Sequence, residues 1–181
     1  IIKELEQDDP VMLHGYMSNS GYEDVRKAVA DSLNKRFGTA FHENNIIMTV
    51  GAAGGLNVIL KALLNPGDQV LVIAPYFGEY NGYVDNYNGE VVVVSPDTET
   101  FQPNLKEMEE KITEKTKAVI VNSPNNPTGV VYSEETIKRM AEILEKNDTI
   151  TQIYRVTGKS RLHVHAVASS NEEMEKLIYD T

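Results

Sequence analysis

The chain has 181 residues, with 27 acidic against 17 basic side chains, a net charge of −10 and no cysteine. The missing cysteine excludes disulfides and thiolate metal sites, and the acidic balance argues against a nucleic-acid or anionic-membrane surface, which needs clustered Lys and Arg. The length suits one ordinary domain; with no apolar run of membrane-spanning length and no recognisable signal peptide, a cytoplasmic location is the default expectation.

Residues 22–37 place Val25, Val29, Leu33 and Phe37 on one face at helical spacing, and Gly38 ends the run. IIMTV (46–50) reads as a short strand, followed by GAAGG (51–55) and a helix over Leu56 to Leu64 that Asn65-Pro66-Gly67 stops. QVLVIAP (69–75) is apolar on both faces, as a strand buried from both sides should be, and EVVVVS (90–95) and KAVIVNS (117–123) predict two more. Residues 104–115 predict an acidic amphipathic helix, and Ser133 is the expected N-cap of another that reaches about Lys146. Alternating β and α segments with continuously apolar strands imply an α/β fold with a parallel, helix-covered sheet. Ligands in such sheets sit at the carboxyl ends of the strands.

After Asn147 the texture changes. Residues 151–158 and 161–169 alternate polar and apolar side chains, which predicts an antiparallel hairpin with one wet face, and NEEMEKLIYDT closes the chain as a helix. Two units are therefore expected, 1–147 and a ββα tail, 148–181. The sequon Asn147-Asp148-Thr149 reads as accidental in a chain with no export signal, and His163 and His165, lacking a third ligand, read as ordinary strand residues. The first residue, Ile1, falls mid-pattern, so a fragment is expected.

Three segments at strand ends could carry chemistry. Gly51-Ala52-Ala53-Gly54-Gly55 opens a helix, where unpaired backbone N–H groups, the helix dipole and small side chains suit a phosphate; close packing is the alternative. Pro75-Tyr76-Phe77 puts an aromatic where it can stack on a planar ring or simply cap the core. In NSPNNPTG (122–129), Pro127 keeps Asn126 out of helical geometry, so its amide can donate from a fixed position; the alternative is a rigid turn without a ligand.

The NNPTG motif at 125–129, and its spacing from GAAGG through PGDQVLVIAPYF, resemble the pyridoxal-phosphate aminotransferases of the aspartate aminotransferase fold type over residues 1–147. That resemblance implies part of a three-layer αβα sandwich, pyridoxal 5′-phosphate as cofactor, and amino-group transfer between an amino acid and a 2-oxo acid. It implies that the backbone N–H groups of Ala52 and Ala53 hold the cofactor phosphate, although the family often has a hydroxyl or longer side chain at the second position. Phe77 matches the aromatic that stacks on the pyridine ring, and Asn126 the amide that donates to the phenolic oxygen. Tyr16 matches the tyrosine that reaches the phosphate of the neighbouring subunit, which implies a homodimer. Arg26 and Gly21, in the same YMSNSGYEDVR stretch, read as structural.

Other parts of that machinery have no counterpart. An aminotransferase needs a lysine to carry the cofactor and move a proton, an acidic residue at the pyridine nitrogen and an arginine for the substrate carboxylate. In the family these follow NNPTG, and no S-x-S-K-type segment occurs here. Lys159 lies too close to Asn126 and belongs to the hairpin turn, so no catalytic residue is assigned and the chain alone is expected to be inactive. Residues 152–181 resemble instead a piece of the effector-binding domain of Lrp/AsnC regulators, through Y-x-V-T-G at Tyr154 to Gly158, which implies a chimeric or engineered tail. The contrasting expectation is a non-enzymatic, truncated or chimeric α/β scaffold without cofactor, whose tail covers the sheet edge left by missing strands.

Overall fold

The computed structural model describes residues 15–146 and two short strands, Tyr154–Thr157 and Val164–Val167. The first helix, α1 (Glu23–Phe37), carries Glu23 and Asp24 in its first turn and Lys35 and Arg36 in its last, each favourable to the helix dipole. It ends on Gly38 in the left-handed region (φ 67°), whose N–H bonds Asn34 O. Ala30 and Leu33 are buried against Ile46, with Val29, Phe37 and Phe41 around them, and a single 3₁₀ turn, Glu43–Asn45, closes this small cluster. Residues 46–50 join no ladder, contrary to the strand expected there. The segment runs extended past the turn before α1, its Met48 N–H bonding Ser20 O at 2.9 Å, and leads directly into α2 (Gly51–Leu63).

The expected strands are β1 (Gln69–Ile73), β2 (Glu90–Val94) and β3 (Thr116–Ile120), paired in parallel in the order β2-β1-β3. Val70 registers with Val91 and Ala118, and Leu71 with Val92 and Val119, so one pleat parity shares each face. On the first face Val70, Val91, Ala118 and Ile120 pack with Leu60 of α2 and with Val84 of α3 (Glu79–Asp85). On the other, Leu71, Ile73, Val92 and Val94 meet Met108 of α4 (Leu105–Lys111) and Met140 and Leu144 of α5 (Glu134–Glu145). With helices on both faces, β1 is buried along nearly its whole length, which explains why its sequence shows no alternation. The result is three layers, α on β on α.

Two helices depart from the reading above. α3 was not anticipated: EYNGYVD contains Gly82 and Asn81, weak helix formers, and its stability comes from burying Tyr80 and Val84 four residues apart. α4 stops at Lys111, well short of residue 115. Ser133 does cap α5, accepting from Thr136 N–H at 3.0 Å. Beyond the sheet, β4 (Tyr154–Thr157) and β5 (Val164–Val167) pair antiparallel in a sheet of their own, as expected of a hairpin, and neither is hydrogen-bonded to β3. The sequon, Lys159, His163 and the closing helix fall outside the described residues. No helix among the described residues is long and apolar enough to cross a membrane.

Candidate cofactor site

β1 and β3 are adjacent and parallel, so the segments that follow them emerge at the same end of the sheet. β1 runs into Ala74-Pro75-Tyr76-Phe77 and β3 into Val121-Asn122-Ser123-Pro124-Asn125-Asn126, and the Ala74–Pro75, Ser123–Pro124 and Asn126–Pro127 peptides are all cis. α2 reaches the same end from the other direction. The five-residue link 64–68 returns the chain antiparallel to β1, Leu60 and Leu64 near the helix end pack with Val70 near the strand start, and thirteen residues of helix span about 20 Å. The amino terminus of α2 therefore lies toward the carboxyl edge of the strands. Topology thus places Phe77, Asn126 and the Ala52–Ala53 backbone toward the same end of the sheet.

At that helix start the N–H groups of Ala52 and Ala53 make no hydrogen bond among the described residues; the first to be satisfied within the turn is Gly54, bonded to Val50 O at 3.3 Å. Gly51 enters with φ 67°, and its N–H is turned back onto Thr49 O at 2.9 Å, while the next two donors stay unpaired among the described residues. Ala52 is half-buried and Ala53 exposed, and neither side chain obstructs an anion approaching the backbone.

The two asparagines of NNPTG do different work. Asn125 is buried, and its Oδ1 accepts from Thr128 N–H (3.1 Å) and Thr128 Oγ1 (2.8 Å), while its backbone exchanges bonds with Val130 O and Gly129 N–H. Its Nδ2 donates to the Tyr132 hydroxyl at 3.4 Å. Asn126 is exposed, and its side-chain amide has no partner among the described residues. Its backbone N–H is held instead: the Asn122 amide, oriented to satisfy both neighbours, accepts from Asn126 N–H and donates to Pro124 O, each at 3.2 Å. A rigid turn and a free donor are thus both present, on neighbouring residues.

Phe77 is half-buried, its ring edge-on to Tyr80 at 5.8 Å and 81°. Tyr80 in turn stacks parallel to Tyr76 at 6.3 Å, with Asn122 of the β3 loop close enough to act on its phenol. Burial pushes the Tyr80 phenol above its ordinary pKa, with the Asn122 amide pulling the other way, so Tyr80 is neutral at physiological pH. Tyr80 and Asn122 carry the site's support and were missed in the sequence. The available signal was Tyr80 three residues after Phe77, one turn along a helix too short to be recognised. Tyr16 stands apart, fully exposed at 107% and without a hydrogen bond among the described residues.

The family model for aminotransferase class I and II matches residues 1–158, past the change of texture at 147. A probable aspartate/prephenate aminotransferase of Aquifex aeolicus is 39% identical over 128 residues, 70% of this chain and 32% of that protein. A probable aspartate aminotransferase of Methanocaldococcus jannaschii is 34% identical over 165 residues, 91% of this chain and 39% of its own length. Among solved structures, an aminotransferase from Eubacterium rectale superposes with a TM-score of 0.75 at 48% identity, covering 80% of this chain and 37% of that one. The chain thus spans about a third to two-fifths of the length of these relatives. Motif, strand-end placement and the extent of the family match agree: this chain belongs to the class I and II aminotransferases.

Proposed function

We propose that this chain is the part of an aminotransferase that grips pyridoxal phosphate without a covalent bond, serving amino-group transfer between an amino acid and a 2-oxo acid. The observation that carries this reading is the pair of unengaged backbone donors at Ala52 and Ala53, at the sheet end that also carries the unengaged Asn126 amide. Pyridoxal phosphate is the cofactor of the family, and this donor set fits it. The backbone N–H groups of Ala52 and Ala53 suit a phosphate, the Asn126 amide suits a phenolate oxygen, and Phe77 offers an aromatic ring beside them. When bound, the cofactor supplies an electron sink for negative charge at the substrate's α-carbon. Tyr16, projecting from its own subunit, would complete the phosphate site of a second copy, which makes a homodimer part of the reading, as is a cytoplasmic location.

No residue here matches the lysine that would carry the cofactor or the arginine that would clamp a substrate carboxylate, so binding without turnover is expected of this chain alone. The test is titration with pyridoxal phosphate followed by absorbance, then borohydride reduction and peptide mapping. Saturable binding with no single modified lysine supports the reading. One specific reduced lysine would overturn the claim that the anchoring residue is missing. A folded chain with no saturable binding would favour the cofactor-free scaffold.

A second element of the reading is a change of module at 147–148, with a tail like the Lrp/AsnC effector domain. The switch from parallel pairing to the antiparallel β4–β5 ribbon favours it; the family match continuing to residue 158 weighs against that boundary. Limited proteolysis with cleavage confined to 147–153 would support the division. A single protected species running past 158 would remove it.

A further inference from the structure

Gly21 is the hub of a clasp between two segments that the cofactor reading treats separately. Its carbonyl accepts from Ser18 Oγ at 2.6 Å and from Arg26 Nε at 3.2 Å, and its N–H bonds Ser18 O at 2.9 Å. Arg26 is only 7% exposed, and its Nη1 donates to Glu43 O, so one planar guanidinium ties the turn before α1 to the 3₁₀ turn that follows it. On the far side, Met48 N–H bonds Ser20 O at 2.9 Å. Gly21, at φ 98°, lies so close that an added Cβ would meet Met48 Cγ at 2.7 Å and Cβ at 2.8 Å. Three residues after Met48, Gly51 opens α2 and presents the Ala52 and Ala53 donors; two residues before Ser18 stands Tyr16.

Nothing in a core-packing role requires this arrangement. A buried cation whose observed partners are main-chain carbonyls is costly, and an apolar side chain at position 26 would fill the volume without that cost. What the guanidinium supplies is direction, two fixed donors holding two loops in register. We infer that Arg26 is a positioning residue for the cofactor's phosphate, keeping the Tyr16 turn and the Met48–Gly51 approach to α2 in one fixed relation. This rests on the cofactor reading above. Lysine, with a single flexible ammonium, cannot replace the fork.

The test compares pyridoxine 5′-phosphate with pyridoxine. Neither carries an aldehyde, so neither condenses with surface lysines, and they differ only in the group the clasp is said to serve. Calorimetric titration of the intact chain is expected to show a preference for the phosphorylated form of about tenfold or more, as charge-assisted hydrogen bonds allow. Arg26→Met is expected to bring that preference to within about threefold while pyridoxine binds as before, with Arg26→Lys rescuing little. A folded Arg26→Met with the preference intact, or with both ligands weakened equally, would overturn the proposal and leave the cofactor reading standing. If Arg26→Met does not fold, Ser18→Ala decides: a reduced preference supports the clasp and an unchanged one rejects it. Binding of neither compound by the unaltered chain removes the cofactor reading, and the clasp with it.

Discussion

Asn125 and Asn126 are adjacent and chemically identical, yet their substitutions should separate stability from binding. Asn125→Ala would leave Thr128 N–H and the Tyr132 hydroxyl short of a partner in a buried turn, an expected cost of about 2 kcal/mol in urea unfolding. Asn126→Ala removes a side chain with no described partner, so the thermal midpoint should stay put while pyridoxal phosphate binding weakens about tenfold. If both variants lose stability alike, Asn126 is a turn residue and not a donor. Tyr83 offers a check on the electrostatics. Its hydroxyl donates to Glu79, which favours the neutral phenol and pushes its pKa up to about 12. Because the folded value is raised, the stabilisation is present below the unfolded phenol's pKa and is lost as pH rises through about 12. Burial also raises Tyr80 and Tyr132, so the check is a difference: ultraviolet phenolate titration should show one of the late tyrosines returning toward its ordinary range in Glu79→Gln, and the others unmoved.

At the scale of elements, the start of α2 sets local stability against binding. A carboxylate in the first turn of a helix is favourable by about 0.3–1 kcal/mol, and Ala53 is exposed enough to accept one without a clash. Ala53→Asp should therefore raise thermal stability slightly while reducing affinity for pyridoxal phosphate about tenfold or more, through repulsion at the same donors. Parallel changes in the two quantities would show that the helix start is not where the phosphate sits. At α5, Gln102 bonds Val131 O, Ser133 N–H and Thr136 Oγ1. The cap that Ser133 signals locally is thus locked by a residue 31 positions earlier, a contact no local pattern could contain. The sheet edges differ too: Lys111 Nζ donates to Val93 O on β2, placing a charge against that edge, while β3 has no such guard among the described residues.

For the whole molecule, exposed apolar side chains on the amino-terminal segment and α2, among them Met17, Tyr22, Ile47, Val50 and Val58, sit on a chain of net charge −10. Pairing of two copies, which the Tyr16 assignment requires, must overcome that repulsion. Sedimentation equilibrium should show self-association strengthening as salt rises from about 0.02 M to about 0.5 M, because screening falls with the Debye length while apolar contact does not. Weakening over that range would point to ion pairs between copies and away from these apolar side chains.

The three β-strands, α1, the start of α2 and the cap of α5 were legible because each depends on its own residues: continuous apolar runs, helical spacing, glycine turns and a serine cap. NNPTG and GAAGG announced the candidate site for the same reason, being conformational requirements written into consecutive positions. The fate of residues 46–50 was decided in space. IIMTV has strand composition, but the Ser20 carbonyl and not a neighbouring strand takes its Met48 N–H. α3 was likewise hidden, since EYNGYVD is a poor helix until Tyr80 and Val84 find a sheet to cover. The sequence pointed to Asn126 as the donor, but it could not say that Asn125 holds the turn through Thr128 and Tyr132, or that Arg26 spans two loops. Those depend on which groups long-range packing leaves without water or a partner, and that is settled only when distant segments meet.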